Sequence, residues 1–175
     1  MFYSGCRAGE ALALSWSDID FKHNTVSINK TLSMVKGGVT IEEPKTKSSI
    51  ATVSLNERTM RLLKKWQVDQ RKYMLINGVV NSDMVFCSRE KKPVRVSSFY
   101  VYFCLQAEKA GVLFYGLHAI RHTHASVLIN AGASMKEVQE RLRHSSIVIT
   151  MDIYSHLFEE TKEKTVDKFV DYIEN

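Results

Sequence analysis

The sequence predicts an α+β fold, mainly helical with one small antiparallel β-sheet, and three observations carry that prediction. Its 175 residues, 45% apolar and 10% aromatic, suffice to bury one core without help from metals or disulfides. Strand-type runs rich in β-branched residues fall only between Thr25 and Leu55, and from Asn56 onward the apolar spacing is helical. Pro44 and Pro93 are the only prolines, and no repeat, low-complexity tract or Gly/Ser linker divides the chain, so one domain is expected.

Taken in order, Arg7 to Leu14 has helix-forming composition, and Trp16 to Asp20 reads as the turn that ends it. This helix begins within a few residues of Met1. Strands are expected over Thr25 to Met34, Val39 to Glu42 and Ser49 to Leu55, separated by Lys36-Gly37-Gly38 and by Pro44-Lys45-Thr46-Lys47. Asn56 suits the N-cap of a long helix to about Asn77, with Leu62, Leu63 and Trp66 inward and a strongly basic outer side. Another helix starts near Ser97 or Ser98 and ends at Ala110-Gly111. Leu117 to Ala131 forms the next, ending at Gly132, and Ser134 with Glu137 is a capping box opening one through Val138 and Leu142. Glu159 to Ile173 places Val166, Phe169, Val170 and Ile173 on one apolar stripe of a charged final helix.

Against 19 Asp and Glu stand 24 Lys and Arg, a net charge of +5 and a pI near 9.1, which favour a polyanionic partner. Cys6, Cys87 and Cys104 are odd in number and never form CxxC, so a disulfide framework or zinc knuckle does not fit; they read as small core residues in a reducing compartment. There is no apolar run of about 18 residues and no signal-peptide pattern at the start. A soluble, cytoplasmic protein without a membrane span is expected.

Four segments hold residues suited to chemistry. Ser4-Gly5-Cys6-Arg7-Ala8-Gly9-Glu10 sets an arginine between two glycines at a helix start, where it serves either as a surface charge paired to Glu10 or as an anion ligand. Lys45 and Lys47 lie in the turn Pro44-Lys45-Thr46-Lys47, where by themselves they read as charges that keep a hairpin solvated. In Leu117-His118-Ala119-Ile120-Arg121-His122-Thr123-His124, His118 and Arg121 share one helix face beside a buried stripe of Leu117, Ile120, Val127 and Leu128. His118 and His122 have the spacing of a zinc pair, but HExxH is absent and Arg121 would repel a cation. His124 reads as a hydrogen-bonded core histidine. Finally come His144 in Leu142-Arg143-His144, and Tyr154 and His156 in Tyr154-Ser155-His156.

In this order the set resembles the tyrosine recombinase family, the phage-integrase type, in its catalytic domain. The motifs are Gly5-Cys6-Arg7-Ala8-Gly9-Glu10, His118-x-x-Arg121, His144 where the family has Leu-Gly-His, and Tyr154-x-His156, and the resemblance covers essentially the whole chain. It implies that Tyr154 attacks a DNA phosphodiester to give a 3′-phosphotyrosine. Arg7 and Arg121 would clamp the phosphate and His144 donate to it, while His118 is the nearby acid/base. Glu10 would orient the arginines and His156 complete the last motif. Lys45, with Lys47 as second choice, would protonate the leaving 5′-oxygen. Such chemistry fits the residues: paired guanidiniums answer the charge developing on phosphate oxygens, and a phenol with pKa about 10 needs a base or a cationic site to become a nucleophile. Because the phosphotyrosine retains the energy of the broken bond, strand exchange needs no ATP, cofactor or metal, in keeping with the lack of a Gly-rich phosphate loop or HExxH.

The resemblance further implies a bacterial, nucleoid-associated protein that integrates or excises a mobile element and acts on double-stranded DNA as a homotetramer. Residues 1–156 would be a catalytic domain lacking its first helix and an upstream core-binding domain, hence a fragment. Residues 157–175 would be a tail helix that docks either in cis or on a neighbouring protomer. That tail holds six acids and three bases, leaving 21 bases against 13 acids, or +8, on the remainder. Arg143 replaces the family's glycine, at a cost of about 1 kcal/mol if that helix end needs positive φ. A non-catalytic DNA-binding remnant and a type IB topoisomerase are the competing functions.

Overall fold

A computed structural model describes residues 1–43, 50–78, 82–88, 91–151, 154, 170 and 172–174. Lys45, Lys47, His156, the strand start at Ser49 and nearly all of the expected tail helix lie outside the described residues.

The chain opens with α1 (Ala8–Leu12), then a 3-10 turn over Trp16–Asp18. Strands β1 (Ile19–Asp20), β2 (Thr25–Ile28) and β5 (Ala51–Ser54) form a three-stranded antiparallel sheet in the order β1-β2-β5, with Val26 facing Ile19 on one side and Val53 on the other. β3 (Thr31–Val35) and β4 (Gly38–Glu42) pair separately as a hairpin. Two sheets therefore replace the single one expected, and the strand expected from Thr25 to Met34 is broken at Asn29-Lys30. Buried Asp18 explains the break: its carboxylate accepts from Lys30 Nζ at 2.8 Å and Asn29 Nδ2 at 3.4 Å, and Lys30 also donates to Ser15 Oγ at 2.9 Å. These bonds turn the chain out of the first sheet.

α2 (Glu57–Ile76) is capped by Asn56, whose side chain accepts from the Thr59 N–H. Its buried stripe is Met60, Gln67, Gln70 and Met74, with Leu63 packed at its edge, whereas Leu62 and Trp66 are exposed. Leu63 thus packs inward as expected, whereas Leu62 and Trp66 do not, because two glutamines occupy the inner face. Gln70 accepts from Trp16 Nε1 at 2.8 Å and donates to the Val85 carbonyl at 3.1 Å, satisfying groups that burial would otherwise orphan. Trp66 Nε1 donates to the same carbonyl at 2.8 Å.

α3 (Val96–Lys109), α4 (Leu117–Asn130) and α5 (Met135–Leu142) follow, and residues 147–151 are helical again. Gly111 and Gly132 end α3 and α4 at positive φ, and Ser134 with Glu137 forms the expected capping box of α5. On α4 the buried side is Leu117, Arg121, His124, Ala125 and Ile129, while Val127 is exposed. This corrects the expected stripe: Arg121 lies within it rather than beside it.

The apolar residues separate into two clusters. One joins Cys6, Ala11, Trp16, Ile19, Val26, Ile28, Val53, Met60 and Val85. The other joins Ala125, Ile129, Val138, Leu142 and Tyr154. Of the cysteines only Cys6 is fully buried; Cys87 and Cys104 are half-buried, and all three are free. Among the described residues no helix is long and apolar enough to cross a membrane.

Candidate active site

The site forms where the two clusters meet, and it is built from the start of α1, from α4 and from the chain leaving α5. Arg7 is the N-cap of α1, and Glu10, three residues on, reaches back to accept its backbone N–H at 2.8 Å. The Glu10 carboxylate also takes Arg7 Nη1 at 2.9 Å and, on its other oxygen, Arg143 Nη2 at 2.5 Å. Burial pushes the Glu10 carboxyl up, but the charge of Arg143 and the hydrogen bonds and charge of Arg7 outweigh it and hold the carboxyl below its usual value. Glu10 therefore orients Arg7 and Arg143, not Arg121.

Arg121 is oriented by main chain instead. Its guanidinium is almost wholly buried, with Nη1 donating to the Gly5 carbonyl at 2.5 Å and Nη2 to the Leu142 carbonyl. One arginine thus ties both clusters together at the site. Burial first, then the charges of Arg7 and Arg143, lower its pKa to about 10, so it stays cationic at neutral pH. Each bonded terminal nitrogen keeps a second N–H, so the fork retains donors for an anion. The two glycines of the first motif permit these approaches. Gly5 has φ +63° and packs so closely on His124 that a Cβ there would meet the ring Cδ2 at 2.8 Å, and a Cβ on Gly9 would meet the Leu32 carbonyl at 3.1 Å.

Three histidines and the tyrosine complete the group. Tyr154 is buried, and its hydroxyl lies 2.7 Å from His122 Nδ1. Burial raises the phenol's pKa, opposed by the charge of Arg121. His118 stacks edge-on to His122, ring centroids 4.8 Å apart. Partial desolvation and the charges of His122, Arg121 and Arg7 hold it below its usual value. His144 follows Arg143, and its Nδ1 lies 2.9 Å from Thr150 Oγ1. Burial, then Arg121, Arg7 and the other two histidines, lower its pKa to about 4, so its ring is neutral at pH 7.

Arg7, Glu10, His118, Arg121, His144 and Tyr154, spread over about 150 positions of sequence, are thus brought together. Two residues were missed in their true places. His122 entered the sequence reading only as half of a zinc pair, yet it holds Tyr154; among the described residues no group of three or more His, Cys, Asp or Glu could hold a metal. Arg143 counted only as a costly replacement for glycine. It does adopt the left-handed conformation, φ 57°, but its buried side chain is the second partner of Glu10. The available signal was an arginine beside His144 with a carboxylate in the first motif. His124 is buried as expected, and among the described residues its Nε2 has no hydrogen-bond partner.

A tyrosine set among arginines and histidines on this mixed α/β scaffold defines a tyrosine-recombinase catalytic domain. The sequence profile described as the phage integrase family matches residues 1–161, and the chain belongs to that family. It is 32% identical to the ICEBs1 integrase of Bacillus subtilis (strain 168) over 98% of this chain and 47% of that protein. It is 34% identical to a tyrosine recombinase XerC-like protein of Caldanaerobacter subterraneus, over 97% of this chain and 47% of that one. The chain spans about half the length of the curated relatives it matches. The Tn1549 transposon integrase in complex with transposon right end DNA has the same fold, with TM-score 0.81 and 22% identity over 97% of this chain and 56% of that one. The XerA recombinase gives a TM-score of 0.67 at 20% identity, over 91% of this chain and 54% of that one.

Proposed function

We propose that the chain is the catalytic domain of a site-specific DNA recombinase that breaks and rejoins strands through Tyr154 to integrate or excise a mobile element. The observation that carries this reading is the convergence of Tyr154, Arg121, Arg7 and His144 on one site, with the nucleophile hydrogen-bonded in place. The phenolate attacks phosphorus, the 3′-phosphotyrosine forms and the 5′-oxygen leaves. Arg7, exposed enough to reach a ligand, and the remaining N–H groups of Arg121 bind the nonbridging oxygens as negative charge grows there. His144 Nδ1 lies 2.9 Å from Thr150 Oγ1; in this reading the hydroxyl donates to Nδ1, the ring proton is on Nε2, and neutral His144 donates from there to the phosphate. His118 lies beside this group as a further acid/base, and Lys45, with Lys47 as the alternative assignment, protonates the 5′-oxygen.

Double-stranded DNA is the proposed substrate and partner, in keeping with the net charge of +5 and the DNA held by the Tn1549 integrase. Within this reading residues 1–156 form the catalytic domain, an upstream core-binding domain supplies the other half of the grip on DNA, and residues 157–175 are a tail that docks either in cis or on a neighbour in a tetramer.

A nicked suicide duplex, which loses its 5′-end fragment on cleavage, tests the assignment. Wild type accumulates a covalent protein–DNA adduct and Tyr154→Phe accumulates none; equal adduct in both removes Tyr154 as nucleophile. Salt-sensitive binding with no adduct, even with a core-binding domain supplied, would favour a non-catalytic DNA-binding remnant. Relaxation of supercoils without a defined site would favour topoisomerase action.

A further inference from the structure

We propose that His122 is the catalytic base that takes the phenolic proton of Tyr154. The inference rests on the reading of Tyr154 as nucleophile and adds the route by which its proton leaves. Three histidines surround the tyrosine, and geometry separates them. His122 Nδ1 lies 2.7 Å from the hydroxyl, within the reach required of a general base. His118 makes no hydrogen bond to Tyr154 among the described residues; it presents its ring edge-on to His122 and is itself exposed, free to face a phosphate. His144 has its Nδ1 engaged by Thr150.

Burial makes the need for a base acute. Tyr154 is only 3% exposed, so solvent has little access to its hydroxyl, and burial makes the neutral phenol harder to ionise. The base is also rigidly placed. His122 follows Arg121 on α4, and the bonds of Arg121 to the Gly5 and Leu142 carbonyls fix that helix against α1 and the end of α5.

In the step itself, the lone pair of His122 Nδ1 takes the phenolic proton, giving an imidazolium. The freed electron pair of the Tyr154 oxygen forms the bond to phosphorus. The bond from phosphorus to the 5′-oxygen breaks, its electron pair stays on that oxygen, and the general acid assigned above to Lys45 protonates it. Religation runs the sequence backwards, and the imidazolium returns its proton to the departing Tyr154 oxygen.

The test is single-turnover cleavage by the full-length chain on two nicked suicide duplexes, one ordinary and one with sulfur replacing the bridging 5′-oxygen. A thiolate leaves without a proton, so the second substrate bypasses the general acid but not the base. His122→Ala and His122→Asn should lose at least about 100-fold in rate on both substrates, whereas Lys45→Ala should be restored by sulfur. Rates within about threefold of wild type, a faster reaction, or restoration of the His122 variants by sulfur would each overturn the proposal. Should the variants not fold, nitrogen chemical shifts of the wild-type imidazoles decide. His122 Nδ1 should be an unprotonated acceptor at pH 7.5, and a proton fixed on Nδ1 overturns the assignment. Tyr154→Phe separates the two readings: if it still forms adduct, the nucleophile reading has failed, but if only the His122 variants stay fast, the base alone is wrong.

Discussion

Arg143 sits at the end of α5 in a conformation that costs a non-glycine residue about 1 kcal/mol, yet its guanidinium is buried against Glu10 at 2.5 Å. Removing one partner of a buried ion pair costs about 3–5 kcal/mol. Glu10 would keep Arg7, which places the loss at the low end of that range. Arg143→Gly should therefore relieve the backbone but lower stability by about 2 kcal/mol net in urea unfolding. A more stable variant would show that the ion pair does not compensate for the left-handed turn. At this scale the sequence was legible where a motif marks a residue that the fold gathers into the site, as for Arg7, Arg121 and Tyr154. It was not legible where the partner lies far along the chain, as with Glu10 and Arg143 or His122 and Tyr154, because spacing within one helix says nothing about what packs across from it.

The helices place these residues through close backbone contacts, and α1 illustrates how. It is only five residues long, too short to be stable alone, and it is held by Glu10 and by packing against β3, where Gly9 lies against the main chain of Leu32. Gly9→Ala should push α1 away from β3, lower stability by about 1–3 kcal/mol and slow cleavage through displaced Arg7. An alanine variant with unchanged melting temperature and adduct yield would mean that α1 has more freedom than the close contact implies. Helix ends marked by local chemistry, such as Asn56, Gly111, Gly132 and Ser134, were readable in advance. The inner face of α2 was not, because two polar residues occupy it: Gln70 is held by bonds to Trp16 and the Val85 carbonyl far along the chain, and Gln67 accepts from Lys64 one turn earlier. For the same reason, long-range bonds to Asp18 split one expected sheet into two.

Across the whole molecule, burial first and then the cations around the histidines set the response to acid. His118, His124 and His144 all have depressed pKa values, His144 at about 4, whereas an unfolded histidine titrates near 6.5. Below that pH the unfolded chain binds protons that the folded chain refuses, so stability falls as pH drops from about 6.5 towards 4. Glu10, whose carboxyl is depressed in the fold, adds stability above its unfolded pKa that is lost as pH falls through the folded value. Melting temperature should thus decline between pH 7 and pH 5, before most carboxylates titrate, and His144→Asn should flatten part of that decline. A melting temperature that is constant over this range would contradict the burial of these histidines among cations. The basic composition foreshadowed this environment, but only the fold shows that three arginines share one carboxylate-anchored site.

The proposed reaction rests on the covalent joining of Tyr154 to DNA. It is tested most directly by trapping the full-length chain on a nicked suicide duplex, digesting the adduct and mapping the modified peptide by mass spectrometry. The predicted result is a nucleotide phosphate on Tyr154 and a free 5′-hydroxyl on the released strand. A modification on any other residue, or a 5′-phosphate on the released strand, would contradict it.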